Sequence, residues 1–476
     1  MDYALRRHDR VSVLGALQSG EYDAIVTSGK SVIDELVHLA VEVGVFKALS
    51  LIQAKRERTG IPDELLFRVI AILPFVEALG LSVAGDELFK DASILLVLGF
   101  SIRQVQEGFN RRHHGSRAGA KKVTPCNPEV LRQELARIDQ ESLHAFQQAC
   151  IRELFARKLV KGRVCAIDGS GLRDRHRVVG LMAVHKGRPL WLSWRVLDGE
   201  ASEKGKEAHV VRGLVEDVIA AGGREAMEWL LMDALYADGP LLAWLEYDCG
   251  IHALVRLPED RQMYQDLEGL ARAELIEWET HADARYISGH KQVRDVSVAM
   301  ASELTSWHSF VEAAAAYGVE HPTLWGALIH SMDRSDPAKI EDWALAGTHP
   351  FPSGRVGYER WRGRWCIENS GFRELKEGWH LERAPWSWTD DKVVSARVTF
   401  TLIAYNIAQL AKTARGRQLT DRGIRRLRRE LVTEYGPAPV VVFSKDAYGI
   451  FHIEEIMALL GAPPKHSLRR SPPGGT

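Results

Sequence analysis

The stretch RVCAIDGSGLRDRHRVVGLMAVHKGRPLWLSWRVL, from Arg163 to Leu197, decides the fold. It contains three short runs rich in β-branched and other apolar residues, Arg163 to Asp168, Arg177 to His185 and Pro189 to Leu197. The turn-forming sequences DGSG and KGRP lie between or beside these runs, and apolar runs bounded by Gly, Asp and Pro are typical of β-strands. We therefore predict three consecutive strands, the second and third of which form a hairpin.

The residues that follow extend this pattern into an α/β layer. The amphipathic segment KEAHVVRGLVEDVIAAG predicts a helix, and EWLLMD predicts a buried strand that ends at Asp233. The segment GPLLAWLEYDCG then predicts a second helix, and IHALVRL predicts a fifth strand. The predicted order is therefore β-β-β-α-β-α-β, which is typical of a mixed sheet with helices packed on it.

Composition bounds the class of protein. The chain has 476 residues, 46% hydrophobic and 26% charged, with a formal net charge of −1. These values are typical of a soluble globular protein of several structural units, in which any nucleic-acid site must be a local basic surface. The five cysteines are odd in number and show no CxxC spacing, and the longest apolar runs fall short of the roughly 18 residues of a membrane span. We expect a cytoplasmic protein with reduced thiols and no membrane association.

Changes of sequence texture predict five regions. Helical apolar spacing, as in SVIDELVHLAVEVGVFKAL, marks the N-terminal part, whereas KQVRDVSVAMAS and DWALAGTHP are strand-like and interrupt the α/β layer. The predicted regions are a helical N-terminal region suited to binding DNA ends (1–160), the first part of the α/β core (161–258), a β-rich insertion (259–350), the second part of the core with a long helical pattern (351–415), and a basic C-terminal region with a disordered tail (416–476).

Two basic segments are candidates for contacts with phosphates. RRHHGSRAGAKK, Arg111 to Lys122, has almost no apolar anchor and is expected to be a mobile loop. RGIRRLRRE, Arg422 to Glu430, carries five arginines on a predicted helix, enough for several salt-sensitive phosphate contacts. In both segments, ordinary solvated charge explains the sequence as well as DNA binding does.

Two acids stand at the ends of predicted strands. Asp168 closes the first strand, and Asp233 closes the fourth. Taken singly, each is explained as well by an Asp that opens a turn or begins a helix. Neighbouring parallel strands, however, bring both carboxylates to one sheet edge, where they repel one another unless a cation lies among them. Together with Glu368 on a later helix, they predict a Mg²⁺ site able to act on a phosphodiester.

The third acid lies in the stretch RWRGRWCIENSGFRELKEGW, Arg360 to Trp379. The strand and helix order with Asp168, Asp233 and Glu368 resembles the ribonuclease-H-like catalytic core of the DDE transposases of bacterial insertion sequences, in the branch typified by insertion sequence 4. That branch carries Tyr, two residues, Arg, three residues, Glu, six residues and Lys on the helix of the third acid. Arg364 and Glu368 match it, and the separations of 233 − 168 = 65 and 368 − 233 = 135 residues fit, the longer one accommodating a mostly β insertion.

Two positions depart from the pattern of that branch. Trp361 stands where the Tyr is expected, with Tyr358 three residues earlier, and Lys376 follows Glu368 by eight residues instead of seven. On an ideal α-helix the eighth residue points about 80° away from Glu368, whereas the seventh points about 20° away. A single added residue is commonly absorbed as a π-bulge, so we predict a bulge or kink near Asn369 to Gly371.

The resemblance implies a fold and a site. The fold is α/β, with a ribonuclease-H-like mixed-sheet core interrupted by a mostly β insertion and preceded by a helical N-terminal region. The cofactor is a pair of Mg²⁺ ions, for which Mn²⁺ can substitute. The implied site residues are Asp168, Asp233 and Glu368 as catalytic metal ligands, and Arg364, Lys376, Trp361 and Tyr358 as contacts to DNA.

The resemblance also implies an activity and partners. A transposase of this kind binds the terminal inverted repeats of its own element, hydrolyses the DNA at each end and joins the freed 3′-hydroxyl to target DNA. Its partners are double-stranded DNA and a second copy of the chain in the synaptic complex, and in a bacterial cytoplasm it associates with the nucleoid when bound to DNA. Two alternatives stay open: a related metal-dependent nuclease that cuts without strand transfer, and a DNA-binding regulator whose catalysis has lapsed.

Overall fold

A computed structural model shows a mixed α/β protein with about 49% helix and 25% strand. The chain divides into two compact units, Gln147–Glu377 and a second unit made of Met1–Phe146 with Gly378–Thr476. The structure describes residues 4–28, 33–55, 61–76, 81, 88–107, 128–172, 175–185, 187–203, 205–287, 290–382, 390–415, 423–435 and 439–461.

The unit Gln147–Glu377 is built on one nine-stranded mixed sheet. The strands are β1 (Val164–Leu172), β2 (His176–Ala183), β3 (Leu190–Asp198), β4 (Trp229–Met232), β5 (His252–Leu257), β6 (Trp278–Ile287), β7 (His290–Leu304), β8 (Leu324–Asp333) and β9 (Asp336–Gly347). Their order in the sheet is β3-β2-β1-β4-β5-β9-β8-β7-β6. The pairs β1–β4 and β4–β5 are parallel, and the other neighbours are antiparallel.

The helices of this unit include the two predicted between β3 and β5. Short 3₁₀ turns lie at Gly199–Ser202, Glu207–Val210, Arg224–Ala226 and Ala234–Tyr236. The α-helices are Val211–Gly222, Gly239–Ala243, Gln262–Arg272, His308–Ala315, Gly354–Arg362 and Glu374–Glu377, with π-helical segments at Trp244–Cys249 and Ile367–Arg373. The predicted order β-β-β-α-β-α-β is therefore confirmed, as are strands in the segments KQVRDVSVAMAS and DWALAGTHP.

One difference concerns the first strand. The sequence DGSG predicts a turn after Asp168, but β1 continues to Leu172 because Gly169, Ser170 and Gly171 pair with β2. Pairing in an antiparallel ladder here outweighs the local preference of Gly and Ser for turns. Asp168 therefore lies inside an extended strand, opposite Gly180.

The sheet supports the helix of the third acid through Trp191 on β3. A Cβ at Gly180 would lie 2.5 Å from the ring of Trp191, and a Cβ at Gly371 would lie 2.9 Å from the same ring. It also packs against the ring of Phe372, with centroids 4.9 Å apart. Each such buried side chain contributes roughly 1.5–3 kcal/mol, and an aromatic pair adds about 0.5–1.5 kcal/mol. Two glycines and one tryptophan thus fix how closely this helix approaches the strands.

The second unit combines helices with a small sheet. Four short strands are ordered Arg7–His8, Ala447–Phe451, Val440–Ser444 and Ala24–Thr27, with the first pair parallel and the others antiparallel. In this unit the two N-terminal strands are not predicted by the sequence patterns. Its helices are Arg10–Ser19, Ile33–Val37 (π), His38–Glu42, Val45–Ala48, Leu49–Leu51 (3₁₀), Asp63–Ile72, Ala92–Val97, Ile102–Glu107, Pro128–Arg137, Gln140–Ala156 (in which the boundary falls), Asp391–Ala414, Ile424–Tyr435 and Ile453–Leu459.

The helix Asp391–Ala414 is the apolar centre of that unit. By length and composition it is the one described helix that could span a membrane, but 94% of its apolar window is buried inside the protein. Helices Asp63–Ile72 and Pro128–Arg137 pack against it, and Phe146 contacts Phe400 with ring centroids 5.5 Å apart. A helix that is apolar nearly all round needs such cover on every side, so its burial is that of a core helix of a soluble protein.

This packing moves the predicted boundaries. Residues 378–415, which the sequence pattern groups with the α/β core, belong to the unit that contains the N-terminal region. The N-terminal boundary falls at residue 146 instead of 160. The predicted β-rich insertion is part of the core sheet, because its four strands β6 to β9 continue that sheet beyond β5. The loop at Arg111–Lys122 and the tail after residue 461 lie outside the described residues.

Candidate active site

Strand register brings the first two acids level with each other. In the parallel pair β1–β4, Ala166 lies opposite Leu231, an offset of 231 − 166 = 65 residues, and Asp168 and Asp233 are separated by the same 65. The backbone at Asp233 is still extended, so the register carries on past the last paired residue. Because residues level with each other on neighbouring parallel strands point to the same face about 4.8 Å apart, both carboxylates reach one end of the sheet.

The structure bears differently on the simpler explanations of these two acids. Asp168 lies within a strand and does not open a turn. Asp233 stands at the start of the 3₁₀ turn Ala234–Tyr236, but its side chain makes no capping hydrogen bond. The next α-helix, Gly239–Ala243, is capped by Asp238, which accepts from the backbone N–H of Leu241. Neither carboxylate is therefore used as a helix cap.

Glu368 is the third acid of the set and comes from a later part of the chain. It lies in the π-helical segment Ile367–Arg373, and a buried guanidinium connects it to the first acid. Arg364 Nη1 is 3.1 Å from Asp168 Oδ2, and Arg364 Nη2 is 2.6 Å from Glu368 Oε1. The Arg364 side chain is 6% exposed, against 17% for Asp168 and 37% for Glu368. Asp168, Asp233 and Glu368 are called here the carboxylate cluster, and Arg364 pairs with two of its members, Asp168 and Glu368.

The predicted distortion of this helix is confirmed. Residues Ile367 to Arg373 form a π-helix, followed by the α-helical turn Glu374–Glu377 that carries Lys376. The wider π-helical turns absorb the extra residue between Glu368 and Lys376. Leu375 is fully buried and Phe372 is nearly so, which places these two apolar side chains on the packed face. The Lys376 side chain is half-buried.

Electrostatics single out Asp168. Burial raises the pKa of its carboxyl group to about 6, although the guanidinium of Arg364 and the backbone N–H of Gly169 oppose the rise. The negative charges of Glu368 and Asp233 raise it further, which shows that all three acids are near enough to interact. A buried carboxylate beside two others is the kind of group that favours a cationic ligand.

The two aromatic residues predicted to contact DNA lie in the core instead. Tyr358 is 0% exposed and its hydroxyl donates to Asp283 Oδ2 at 2.9 Å. Trp361 is buried against Trp343, and its indole N–H donates to the carbonyl of Met232. Stacking on a base requires a ring face open to solvent, and neither ring has one, so both predictions for these residues are corrected to packing roles.

Three residues near the carboxylate cluster were not identified as candidate site residues from the sequence. Trp365 is 42% exposed, three residues before Glu368. Glu207 is buried, pairs with Arg177, and lies 3.0 Å from the position of a Cβ at Gly169. The hydroxyl of Tyr236 is buried with no hydrogen-bond partner in the described structure; burial raises its pKa, as does the charge of Asp168. Tyr236 belongs to the sequence ALYADG directly after Asp233, and its nearness to this predicted acid was the sequence feature that could have identified it.

The basic helix is confirmed as Ile424–Tyr435. Its arginines are engaged within their own unit: Arg428 donates to the carbonyls of Pro74 and Phe75, and Arg426 pairs with Glu430. These contacts give at least two of the five cations structural partners.

A second group of ligand residues lies elsewhere in the same unit. Among the described residues, Glu246, His252 and His349 are the set of three whose candidate metal-ligand atoms all lie within 4.8 Å of one another; we call them the histidine–glutamate cluster. The carboxylate cluster is more open than this, with Arg364 between two of its members. Desolvation and the neighbouring His252 lower the pKa of His349.

The sequence was compared with known proteins. No protein-family model and no curated protein matches it.

Proposed function

We propose that this chain is a DDE-type transposase that cleaves the DNA ends of its own element and joins them to target DNA. The observation that supports this most strongly is the carboxylate cluster, in which Arg364 joins Asp168 on a strand to Glu368 on a distorted helix. Asp233, which follows the adjacent parallel strand, is near enough to raise the pKa of Asp168. The acids come in the chain order and on the elements that the resemblance implies.

We further propose that the sheet is of the ribonuclease-H-like kind. Its first five strands have the spatial order β3-β2-β1-β4-β5, with the hairpin strands antiparallel and β1, β4 and β5 parallel. Asp168 lies within β1, level with Asp233, which directly follows the carboxyl end of β4. The carboxyl ends of parallel strands are the common position of ligand sites in sheets of this type. Strands β6 to β9 then correspond to the β-rich insertion between the second and third acids.

The donor set of the carboxylate cluster fits Mg²⁺ or Mn²⁺. All of its candidate ligand atoms are carboxylate oxygens, which hard divalent cations prefer. Three carboxylates and one guanidinium leave a formal charge of −2 when all are ionised. Burial is the main cause of the raised pKa of Asp168, and the charges of Glu368 and Asp233 add to the rise. The chemistry that two bound divalent ions would supply here is activation of the attacking oxygen and stabilisation of the leaving oxygen of a phosphodiester.

The chain's own residues organise this site. Arg364 donates to Asp168 and to Glu368 and so holds carboxylates from a strand and a helix in fixed relation. With a pKa of about 6, Asp168 is mainly ionised near pH 7.5 and able to act as a ligand. We assign Lys376 to a phosphate contact. For Arg364 the ion pairs to two carboxylates favour a positioning role over the predicted phosphate contact.

The partners and location follow from the activity. Double-stranded DNA carrying terminal inverted repeats and target DNA are the proposed substrates, and two copies of the chain are proposed in the complex that joins two ends. The proposed location is the bacterial cytoplasm, at the nucleoid when DNA is bound.

The test uses the DNA that flanks the gene. A labelled duplex carrying one flanking inverted repeat is incubated with the purified full chain, a supercoiled target plasmid and Mg²⁺ or Mn²⁺. We expect nicking at the repeat end and transfer of the labelled 3′-end into the plasmid. Glu368→Gln is expected to abolish both products, whereas Glu359→Gln, a control at an exposed acid paired with Arg355, is expected to retain them.

The outcomes separate the alternatives. Cleavage without joining would identify a nuclease and overturn strand transfer. Specific binding of the repeat with no cleavage by wild type, unchanged in Glu368→Gln, would identify a DNA-binding regulator. Absence of both binding and cleavage with flanking repeats would overturn the proposal altogether.

A further inference from the structure

The histidine–glutamate cluster lies at the opposite end of the parallel strands from the carboxylate cluster. His252 is the first residue of β5 and lies level with Trp229, the first residue of β4, whereas Asp233 follows the last residue of β4. Asp233 lies four residues beyond Trp229, a distance of about 13 Å at 3.3 Å per residue. The two clusters are therefore separate sites on one sheet.

Three distant segments of the chain supply the side chains. Glu246 comes from the π-helical segment Trp244–Cys249, His252 from the start of β5, and His349 from the residues directly after β9. Pairing of β9 with β5, in which Gly347 lies opposite Leu254, brings the last segment to the other two. The cluster thus depends on the tertiary fold and not on a local sequence motif.

The geometry of the three side chains is convergent. His252 Nδ1 is 2.9 Å from Glu246 Oε2 and 3.1 Å from Glu246 Oε1. The imidazole of His349 stacks on that of His252, with ring centroids 4.0 Å apart and planes inclined by 23°. Glu246 and His252 are half-buried, whereas His349 is exposed, so the group is open to solvent on one side.

Neighbouring groups hold these side chains in place. Thr348 Oγ1 donates to Glu246 Oε2 and accepts from the backbone N–H of Ala253 at 2.9 Å. The ring of Trp229 lies 5.0 Å from His252 and 5.9 Å from His349. Outer hydrogen bonds of this kind orient carboxylate ligands in metal sites and contribute to their affinity.

We propose that Glu246, His252 and His349 form a binding site for Zn²⁺. Two imidazoles and one carboxylate are a donor set that zinc takes in proteins, with water completing four ligands. Nitrogen ligands distinguish this set from the all-oxygen carboxylate cluster, so the borderline-soft ion and the hard ions of the other site are sorted by donor type. Zn²⁺ binds an unprotonated ring nitrogen, so His252, to bind through Nδ1, exchanges its hydrogen bond with Glu246 for the metal and carries its N–H on Nε2.

The position of this site suggests what its occupation does. After β5 the chain forms strands β6 to β9 beyond the edge of the first five strands, and β9 pairs with β5. From β9, Thr348 and His349 lead to the helices that carry Glu368. A zinc ion bound there ties the return segment to the start of β5. Zinc therefore stabilises the junction between strands β6 to β9 and the first five strands of the sheet.

The test measures zinc binding by the metal-free full chain. The protein is treated with chelator, then titrated with Zn²⁺ by calorimetry, and its melting temperature is measured with and without the ion. We expect a site whose affinity falls at least ~10-fold in His349→Ala, together with loss of the zinc-dependent rise in melting temperature. Replacement of Zn²⁺ by Co²⁺ is expected to give visible absorption bands of a four-coordinate site in wild type and not in the variant.

A matched control exists in the same sheet. His330 Nδ1 lies 2.7 Å from Asp342, so this pair has the same histidine–carboxylate contact but is not part of a described three-ligand group. His330→Ala is expected to bind zinc like wild type, and excess Mg²⁺ is expected not to displace the ion.

Two results would overturn the site. One is zinc affinity in His349→Ala equal to that of wild type, and the other is no measurable binding by wild type. Because His349 is exposed, its replacement is expected to leave the fold intact, which circular dichroism in chelator verifies. Thr348→Val provides a second variant that removes only the hydrogen bond to Glu246, and it is expected to weaken binding less than His349→Ala does.

Discussion

The carboxylate cluster and the histidine–glutamate cluster lie at opposite ends of strand β4. They differ in how their candidate ligands are held. The negative charges of Glu368 and Asp233 raise the pKa of Asp168, and Arg364 lies between Asp168 and Glu368. In the other cluster, His252 donates to Glu246 and the side chains already converge within 4.8 Å. Imidazole can share a proton with a carboxylate, whereas like carboxylates need a cation.

This difference bears on how each site responds to an ion. In the carboxylate cluster a divalent cation relieves repulsion among groups whose ionisation is costly, so occupation should change stability strongly. In the histidine–glutamate cluster a cation replaces a hydrogen bond that already exists between His252 and Glu246, so the gain in stability is smaller. The comparison predicts that each site can be removed while the other stays intact.

The largest expected effect comes from removing one carboxylate. Asp233→Asn is expected to lower the rate of DNA-end cleavage at least ~10³-fold, because several kcal/mol of transition-state stabilisation depend on a complete metal site. The same variant is expected to bind Zn²⁺ like wild type. Rates from the labelled-end assay and zinc calorimetry on one preparation check both halves, and a parallel loss of zinc binding would contradict the separation of the sites.

Replacement of the bridging arginine should have the next largest effect. Arg364→Lys keeps the charge but cannot donate to Asp168 and Glu368 at once, because an ammonium group lacks the forked geometry of a guanidinium. We expect cleavage to fall about 10²-fold, as misplacement of a reacting group by about 1 Å can cause. Arg355→Lys, at an exposed ion pair with Glu359, serves as the control. Equal activity of Arg364→Lys and wild type would show that the bridge does not position the acids.

The carboxylate cluster was predicted from a resemblance, because its three acids have the order and spacing of a known family, although Asp168 and Glu368 are 368 − 168 = 200 residues apart. The same resemblance predicted a distorted helix around Glu368, and the structure has the π-helix Ile367–Arg373 there. The histidine–glutamate cluster could not be predicted this way. Its outer members are 349 − 246 = 103 residues apart, and they meet only because β9 pairs with β5.

The failures of sequence reasoning have the same physical origin. Gly169 to Gly171 have turn propensity but are held in β1 by pairing with β2. Tyr358 was a candidate DNA contact because it is the Tyr nearest to the expected position, which Trp361 occupies, but its hydroxyl donates to Asp283 on β6 inside the core. In both cases a partner far away in the chain decides the outcome, and local patterns carry no information about that partner.

The raised pKa of Asp168 gives a pH-dependent difference between the clusters. Its folded-state pKa of about 6 lies above the ordinary 3.8, so the folded chain binds the proton more tightly than the unfolded chain does. Metal-free stability is therefore expected to fall as pH rises from about 4 to about 6, by about 3 kcal/mol at most. Denaturant unfolding of wild type and Asp168→Asn across this range measures the contribution, which the variant should lack.

Metal addition supplies the control for that pH dependence. Mg²⁺ is expected to stabilise wild type more than Asp168→Asn above pH 6, where the carboxylate is ionised. Zinc is expected to stabilise both proteins equally, because its proposed ligands are elsewhere. If Asp168→Asn keeps the full pH dependence of wild type, the carboxyl group of Asp168 is not the titrating group.

The smallest expected effect concerns how each site is supported by backbone packing. A Cβ at Gly371 would lie 2.9 Å from the ring of Trp191 and 3.0 Å from the end of Met182, and both of these side chains are fully buried. Gly371→Ala is therefore expected to cost about 1–3 kcal/mol of unfolding free energy. Gly347, beside the histidine–glutamate cluster, is the matched position, since a Cβ there would lie 3.3 Å from Trp325 and 3.4 Å from Leu254. Gly347→Ala should cost less than ~1 kcal/mol, because those neighbours need to shift only slightly. Equal losses in the two variants, measured by urea unfolding, would mean that the helix of Glu368 can move away from β3, and that the carboxylate cluster is no more rigidly supported than the open end of the sheet.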